Sequence, residues 1–175
     1  MDTRVADQLR LHSGHLDFIG RSHIWIDDYD RADSVRFAQF ALANALAHTA
    51  PGQLEVLVFD DALRGIAAPF QEVNSGGEKI LRHINDVQEL NETIKYLHEH
   101  VRSVLNVIQG RTESLLDFRQ QLSPKVEGFK LVVLSTIYDL LSDEIRDKLT
   151  VLLKAGPAAG VTFLIHSMKL KVNEE

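Results

Sequence analysis

The sequence predicts a three-layer α/β domain with a mainly parallel central sheet, and three observations carry that prediction. Phe129-Lys130-Leu131-Val132-Val133-Leu134 is a short, near-continuous apolar run without alternation, the pattern of a strand covered on both faces. A helix-length segment separates it from a second such run, Gly160-Val161-Thr162-Phe163-Leu164-Ile165, and that spacing fits a parallel strand–helix–strand unit. Further upstream, strand patterns again alternate with helical ones.

Within the central unit, Ser142 is placed to cap the helix, with Asp143 and Glu144 in the first turn, where the helix dipole favours negative charge. Ile145, Leu149, Leu152 and Leu153 fall on one face, and Gly156-Pro157 ends the helix.

From the N-terminus, residues 1–21 read as a polar lead-in and 22–168 as the core of one domain spanning 1–175. His23-Ile24-Trp25-Ile26-Asp27 is the first strand, with Trp25 expected in the core. Asp33 or Ser34 is expected to cap a helix running to about His48, with Val35, Phe37, Phe40, Ala41 and Leu42 as its apolar positions, until Pro51-Gly52 breaks it. Leu54 to Phe59 is the second strand. A loop with apolar side chains follows, then a turn at Asn74-Ser75-Gly76-Gly77. Arg82 to Asn85 is a short strand. Asp86 with Glu89 has capping-box spacing, and from Val87 to Ile108 apolar residues recur at three- and four-residue steps until Gly110. Thr112 to Gln121 reads as a further short helix. Right-handed crossovers then place the Phe129 strand beside the second strand or the first.

Composition bounds the chemistry. With 175 residues, 45% of them hydrophobic and 25% charged, an ordinary folded core is expected. No cysteine is present, which excludes disulfides and thiolate metal sites and agrees with a cytoplasmic setting. No run is long enough to span a bilayer. The net charge of −6 argues against broad binding to nucleic acid, where affinity depends on neutralising phosphates.

The order of these segments resembles the FtsK/SpoIIIE/HerA family of P-loop motor ATPases. The run Val132-Val133-Leu134-Ser135-Thr136-Ile137-Tyr138-Asp139-Leu140 stands where that family has an apolar strand, Asp-Glu, an apolar pair, Asp and Leu. Gly156-Pro157-Ala158-Ala159-Gly160 stands at its Gly-Arg-Ala-Ala-Gly, and Ile165-His166-Ser167-Met168 at the strand ending near Thr-Gln. Upstream, His23-Ile24-Trp25-Ile26 takes the place of the strand before the phosphate loop, and Val56 to Asp61 with Gly65 to Phe70 the place of the second strand and its turn. The resemblance covers roughly His23 to Met168 and implies a P-loop NTPase-like, RecA/FtsK-like fold.

The family's nucleotide chemistry has no counterpart here. A phosphate loop needs glycines so that backbone N–H groups approach phosphate, a Lys, and a Ser or Thr for magnesium. Asp27-Asp28-Tyr29-Asp30-Arg31-Ala32-Asp33-Ser34 has neither glycine nor lysine, and the Lys position holds Asp33 or Ser34. Each carboxylate repels a triphosphate a few ångströms away by about 1 kcal/mol in water, and more when part-buried. Ser34 matches the magnesium ligand in type but reads as a helix cap. Ser135 and Thr136 replace the acidic pair that holds magnesium and polarises water, Met168 replaces the polar sensor, and Pro157 replaces the arginine.

Other constellations read as structural. Asp27, Asp28, Asp30 and Asp33 lack the Gly and terminal Glu of a calcium loop. His98 and His100, two apart on a helix, face different ways. Gly76-Gly77 reads as a turn, and no Ser-His-Asp or Cys-His arrangement emerges. No catalytic residue, cofactor, metal or small-molecule substrate is therefore expected.

The resemblance then implies a non-catalytic domain, structural or regulatory, acting through protein contacts in a DNA-translocase, defence or secretion-type motor. Its partners would be another protein or other domains of the assembly, with direct DNA binding doubtful. Motors of this family place nucleotide sites at subunit boundaries, so Asp28, Asp30 and Asp33, beside Ser135 and Thr136, are the interface candidates. The alternative is an atypical ATPase binding nucleotide at an interface with an active partner. It requires a cation reaching the degenerate loop, with Arg21 and Arg31 nearest in sequence.

Overall fold

The computed structural model describes residues 16–27, 31–50, 52–74, 79–121 and 128–167. Five strands, β1 (Ile24–Asp27), β2 (Leu54–Asp60), β3 (Leu81–Ile84), β4 (Phe129–Thr136) and β5 (Val161–Ser167), form one sheet. Its order is β1-β5-β4-β2-β3, and every neighbouring pair is parallel. The helices are α1 (Arg31–His48), α2 (Val87–Ile108), α3 (Leu115–Gln121) and α4 (Asp143–Ala155). As expected, β4 lies beside the second strand; β5 separates it from the first.

Handedness distributes the helices. The connections β1→β2 and β2→β3 run one way across the sheet, whereas β3→β4 and β4→β5 run the other way. Right-handed crossovers therefore put α1 and the 3-10 segment Ala68–Asn74 on one face, and α2, α3 and α4 on the other. Packing agrees: α2 rests on α4 and α3, while the Gln39 side chain of α1 donates to the Gly65 carbonyl.

Both faces being covered explains the non-alternating strands. Every residue of β4 and β5 is buried. Lys130 is buried within β4, where its ammonium lies 2.6 Å from Glu55 Oε2 on β2 and over the Tyr96 ring. Burial pulls that ammonium's pKa down, but the bonds and charge of Glu55 and Tyr96 outweigh it, and the net shift is upward.

The expected caps of the later helices are present. The Ser142 hydroxyl accepts from the Ile145 amide, and Asp86 Oδ1 accepts from the Glu89 amide. Glu89 returns a bond to the Asn85 amide, so the box closes one residue earlier than expected. Asn74 ties the turn to β3, its carboxamide oxygen accepting from the amides of Ile80 and Leu81. The neighbouring Gly76-Gly77 lies outside the described residues.

Three expectations are corrected. The first helix begins at Arg31, so Asp33 and Ser34 lie inside its first turn rather than capping it. Trp25 is not core; it is 50% exposed, because β1 is a sheet edge and its indole packs edge-on against Tyr138, ring centroids 5.0 Å apart. Phe40 and Val87, read as apolar-face positions, are also exposed at the rims of their helices.

Candidate functional site

The C-terminal ends of β1, β5 and β4 meet the first turn of α1. Register aligns Ile26, His166 and Ser135 across the three strands. Aligned residues share a sheet face, so His166 and Ser135 point toward α1. His166 Nε2 lies 2.8 Å from Ser34 Oγ, and His166 Nδ1 lies 3.2 Å from Ser135 Oγ. His166 and Ser135 are fully buried, and Ser34 nearly so. A neutral imidazole donates at one nitrogen and accepts at the other, and hydroxyls rotate to either role, so the pairing is satisfied in both tautomers.

This network is what the sequence reading missed. His166 is one histidine inside an apolar strand; only register and the crossover of α1 bring it between two serines far apart in the chain. The resemblance led to Met168 instead, which lies outside the described residues, as do Asp28 and Asp30.

The other expected site residues separate. Thr136 is buried and aligns with Ser167 and Asp27, one step along the strands, and therefore faces α4 rather than Ser34. Ser135 is fully buried as well, and Thr136 meets solvent only where it lines a cleft on the α4 face. Asp33 is exposed and pairs with Arg36 at 3.7 Å, an exposed contact worth little. Arg21 pairs with Asp17 at 3.1 Å and precedes β1. It thus sits at the opposite end of the strands from Ser34, with the rise of β1 between them, about 13 Å. For Arg31 only the backbone is described.

A magnesium–triphosphate does not fit the residues here. Magnesium takes an octahedral shell of oxygens, usually with a carboxylate among them. In place of that, the hydroxyls of Ser34 and Ser135, at the positions the resemblance assigns to magnesium chemistry, are joined by an imidazole. Among the described residues no group of three or more His, Asp or Glu side chains is arranged to hold a metal ion.

On the α4 face, the same sheet end carries an open cleft of about 420 Å³. Its walls come from Ala62 after β2, Ile137 and Leu140 after β4, Val87 at the start of α2, and Leu141 and Ile145 around the start of α4. On the other face, aligned with Ser135, the Asp60 carboxylate fixes the turn after β2 by accepting from the amides of Arg64 and Gly65. Tyr138 stands between this cleft and Trp25; burial raises its phenol pKa, against the opposing pull of Arg146 and Thr150.

No protein-family model matches the sequence, and no curated protein matches it. Solved structures do. ATPases 2 and 3 of EssC from Geobacillus thermodenitrificans match with a TM-score of 0.68 and 15% identity, over 85% of this chain and 28% of that one. The pCW3 conjugation coupling protein TcpA, solved with ATPγS, matches with a TM-score of 0.60 and 16% identity, over 83% of this chain and 42% of its own. The cytoplasmic domain of the type VII secretion ATPase EccC from Thermomonospora curvata matches with a TM-score of 0.60 and 18% identity, over 86% and 18%. The chain spans less than half the length of each. No helix among the described residues is long and apolar enough to cross a membrane. In fold, then, this chain resembles the FtsK/SpoIIIE-type P-loop ATPase domains, as its sequence implies.

Proposed function

We propose that this chain is a non-catalytic FtsK/HerA-like domain that works by contact, as a structural or regulatory module of a secretion, conjugation or DNA-translocating motor in the cytoplasm. The observation that carries the reading is the bridge Ser34–His166–Ser135. Ser34 and Ser135 stand where the resemblance puts the magnesium hydroxyl and the first residue of the acidic pair, and His166 ties them to each other. The missing lysine and glycines between Asp27 and Ser34 support it independently. The likeness to domains of much longer motor proteins supports partner domains as its setting. In this reading Asp28, Asp30 and Asp33 form an acidic edge toward a protein neighbour, and DNA is not a direct ligand.

The test is titration with ATP and magnesium, followed by calorimetry and thermal melting. A ligand at 100 times its Kd stabilises the folded state by about 2.7 kcal/mol, which a melting curve resolves. The expected result is no heat and no shift at millimolar nucleotide. A clear shift with ATP would instead favour the interfacial ATPase.

A further inference from the structure

Large apolar side chains stand in water along one end of the sheet. Leu140 is 66% exposed and Val87 48%, on facing walls of the cleft, over a floor that includes the buried Leu141 and Ile145. Trp25 extends the band to the sheet edge through its contact with Tyr138, whose turn carries Leu140. Contiguous exposed apolar surface bordered by polar groups marks contact sites in folded proteins.

The border has one dominant sign. Around the chain, the cleft's walls are flanked by acids: Asp61 before Ala62, Asp86 before Val87, Asp139 before Leu140, and Asp143 after Ser142. All four are exposed. Of the nearby basic side chains, Arg64 is half-buried, and the bond between Arg146 and Asp143 offsets both charges, so Asp61, Asp86 and Asp139 set the sign of the rim. An apolar slot rimmed by carboxylates is complementary to apolar anchors flanked by cations, and repels nucleic acid and acidic segments.

We infer that this cleft docks a protein segment whose apolar side chains are flanked by lysine or arginine, with Leu140, Val87 and Ile145 as the contact floor and walls. The inference rests on the reading of the chain as an interaction module and names the chemistry of what it meets. The carboxylates steer encounter, and the apolar walls hold the bound state.

Trp25 is the chain's single tryptophan, so its fluorescence reports on this end of the sheet. The full chain is titrated with a short synthetic amphipathic Leu/Lys peptide and with its Leu/Glu counterpart. Saturable change in Trp25 emission is expected with the first and none with the second, and the affinity should fall as salt rises. Leu140→Glu should weaken the Leu/Lys peptide about tenfold. The double variant Asp61→Lys/Asp139→Lys should weaken it further and admit the Leu/Glu peptide. Both changes are at exposed positions, and unchanged melting temperatures confirm that the fold survives. Equal binding of the two peptides, or undiminished Leu/Lys binding by Leu140→Glu, which adds negative charge, would overturn the proposal. The ATP titration reads the non-catalytic assignment separately, so either idea can fail while the other stands.

Discussion

Ser34 and His166 are 132 residues apart in the chain, yet the hydroxyl of one lies 2.8 Å from the ring nitrogen of the other inside the fold. The contact fastens the first turn of α1 to β5, and Ser135 extends the link to β4. Polar groups at this depth are stable only in company, because each has given up its water.

Replacing His166 with alanine should therefore cost about 3 kcal/mol, combining the cavity with the bonds lost by two buried hydroxyls. Ser34→Ala should cost about 1 kcal/mol, and the double variant less than the sum, because one bond is removed twice. Urea denaturation checks all three. A near-neutral His166→Ala would show that the network contributes nothing to the fold.

His23 predicts a pH dependence. Its Nδ1 accepts from the Phe163 amide at 2.9 Å, and its Nε2 lies 2.7 Å from the Leu153 carbonyl. This fixes the neutral tautomer with its proton on Nε2, because a protonated ring has no lone pair to offer the amide. Burial lowers the pKa of His23, against the raising effect of the Leu153 bond. With the folded value below the unfolded one, the unfolded chain takes up the proton first. The contribution is present above about pH 6.5 and is lost as pH falls through that value toward the folded one. His23→Gln, which keeps a donor and an acceptor without titrating, should flatten the fall in denaturation free energy between about pH 7 and pH 5. An unchanged slope would assign the effect to other histidines.

The pair at the opposite end of the sheet should behave asymmetrically. Glu55→Gln leaves the buried Lys130 ammonium without its counter-charge, and should cost about 2 kcal/mol, less than a fully buried pair because the Glu55 side chain is 33% exposed. Lys130→Met with Glu55→Leu should recover most of that loss, since apolar residues of similar size remove both charges together. Should Glu55→Gln denature at the wild-type urea concentration, water already screens the pair.

Much of the fold is written locally. The unbroken apolar runs of β4 and β5 require cover on both faces, and the cap residues Ser142 and Asp86 fix where α4 and α2 begin. Connection lengths and the right-handed crossover rule then leave few topologies. The absence of glycine and lysine between Asp27 and Ser34 is equally a property of the sequence. What the sequence by itself determined is thus the parallel α/β frame and a loop from Asp27 to Ser34 without glycine or lysine, because propensity, periodicity and composition act over a few residues at a time. The tertiary structure alone decided the rest. Strand register set His166 between Ser34 and Ser135, turned Thr136 to the opposite face, and left Arg21 at the far end of the strands. The edge position of β1 put Trp25 in water, where periodicity had implied burial. Those outcomes depend on which distant residues align across the sheet, and a one-residue shift in register would reverse every one of the facing relationships.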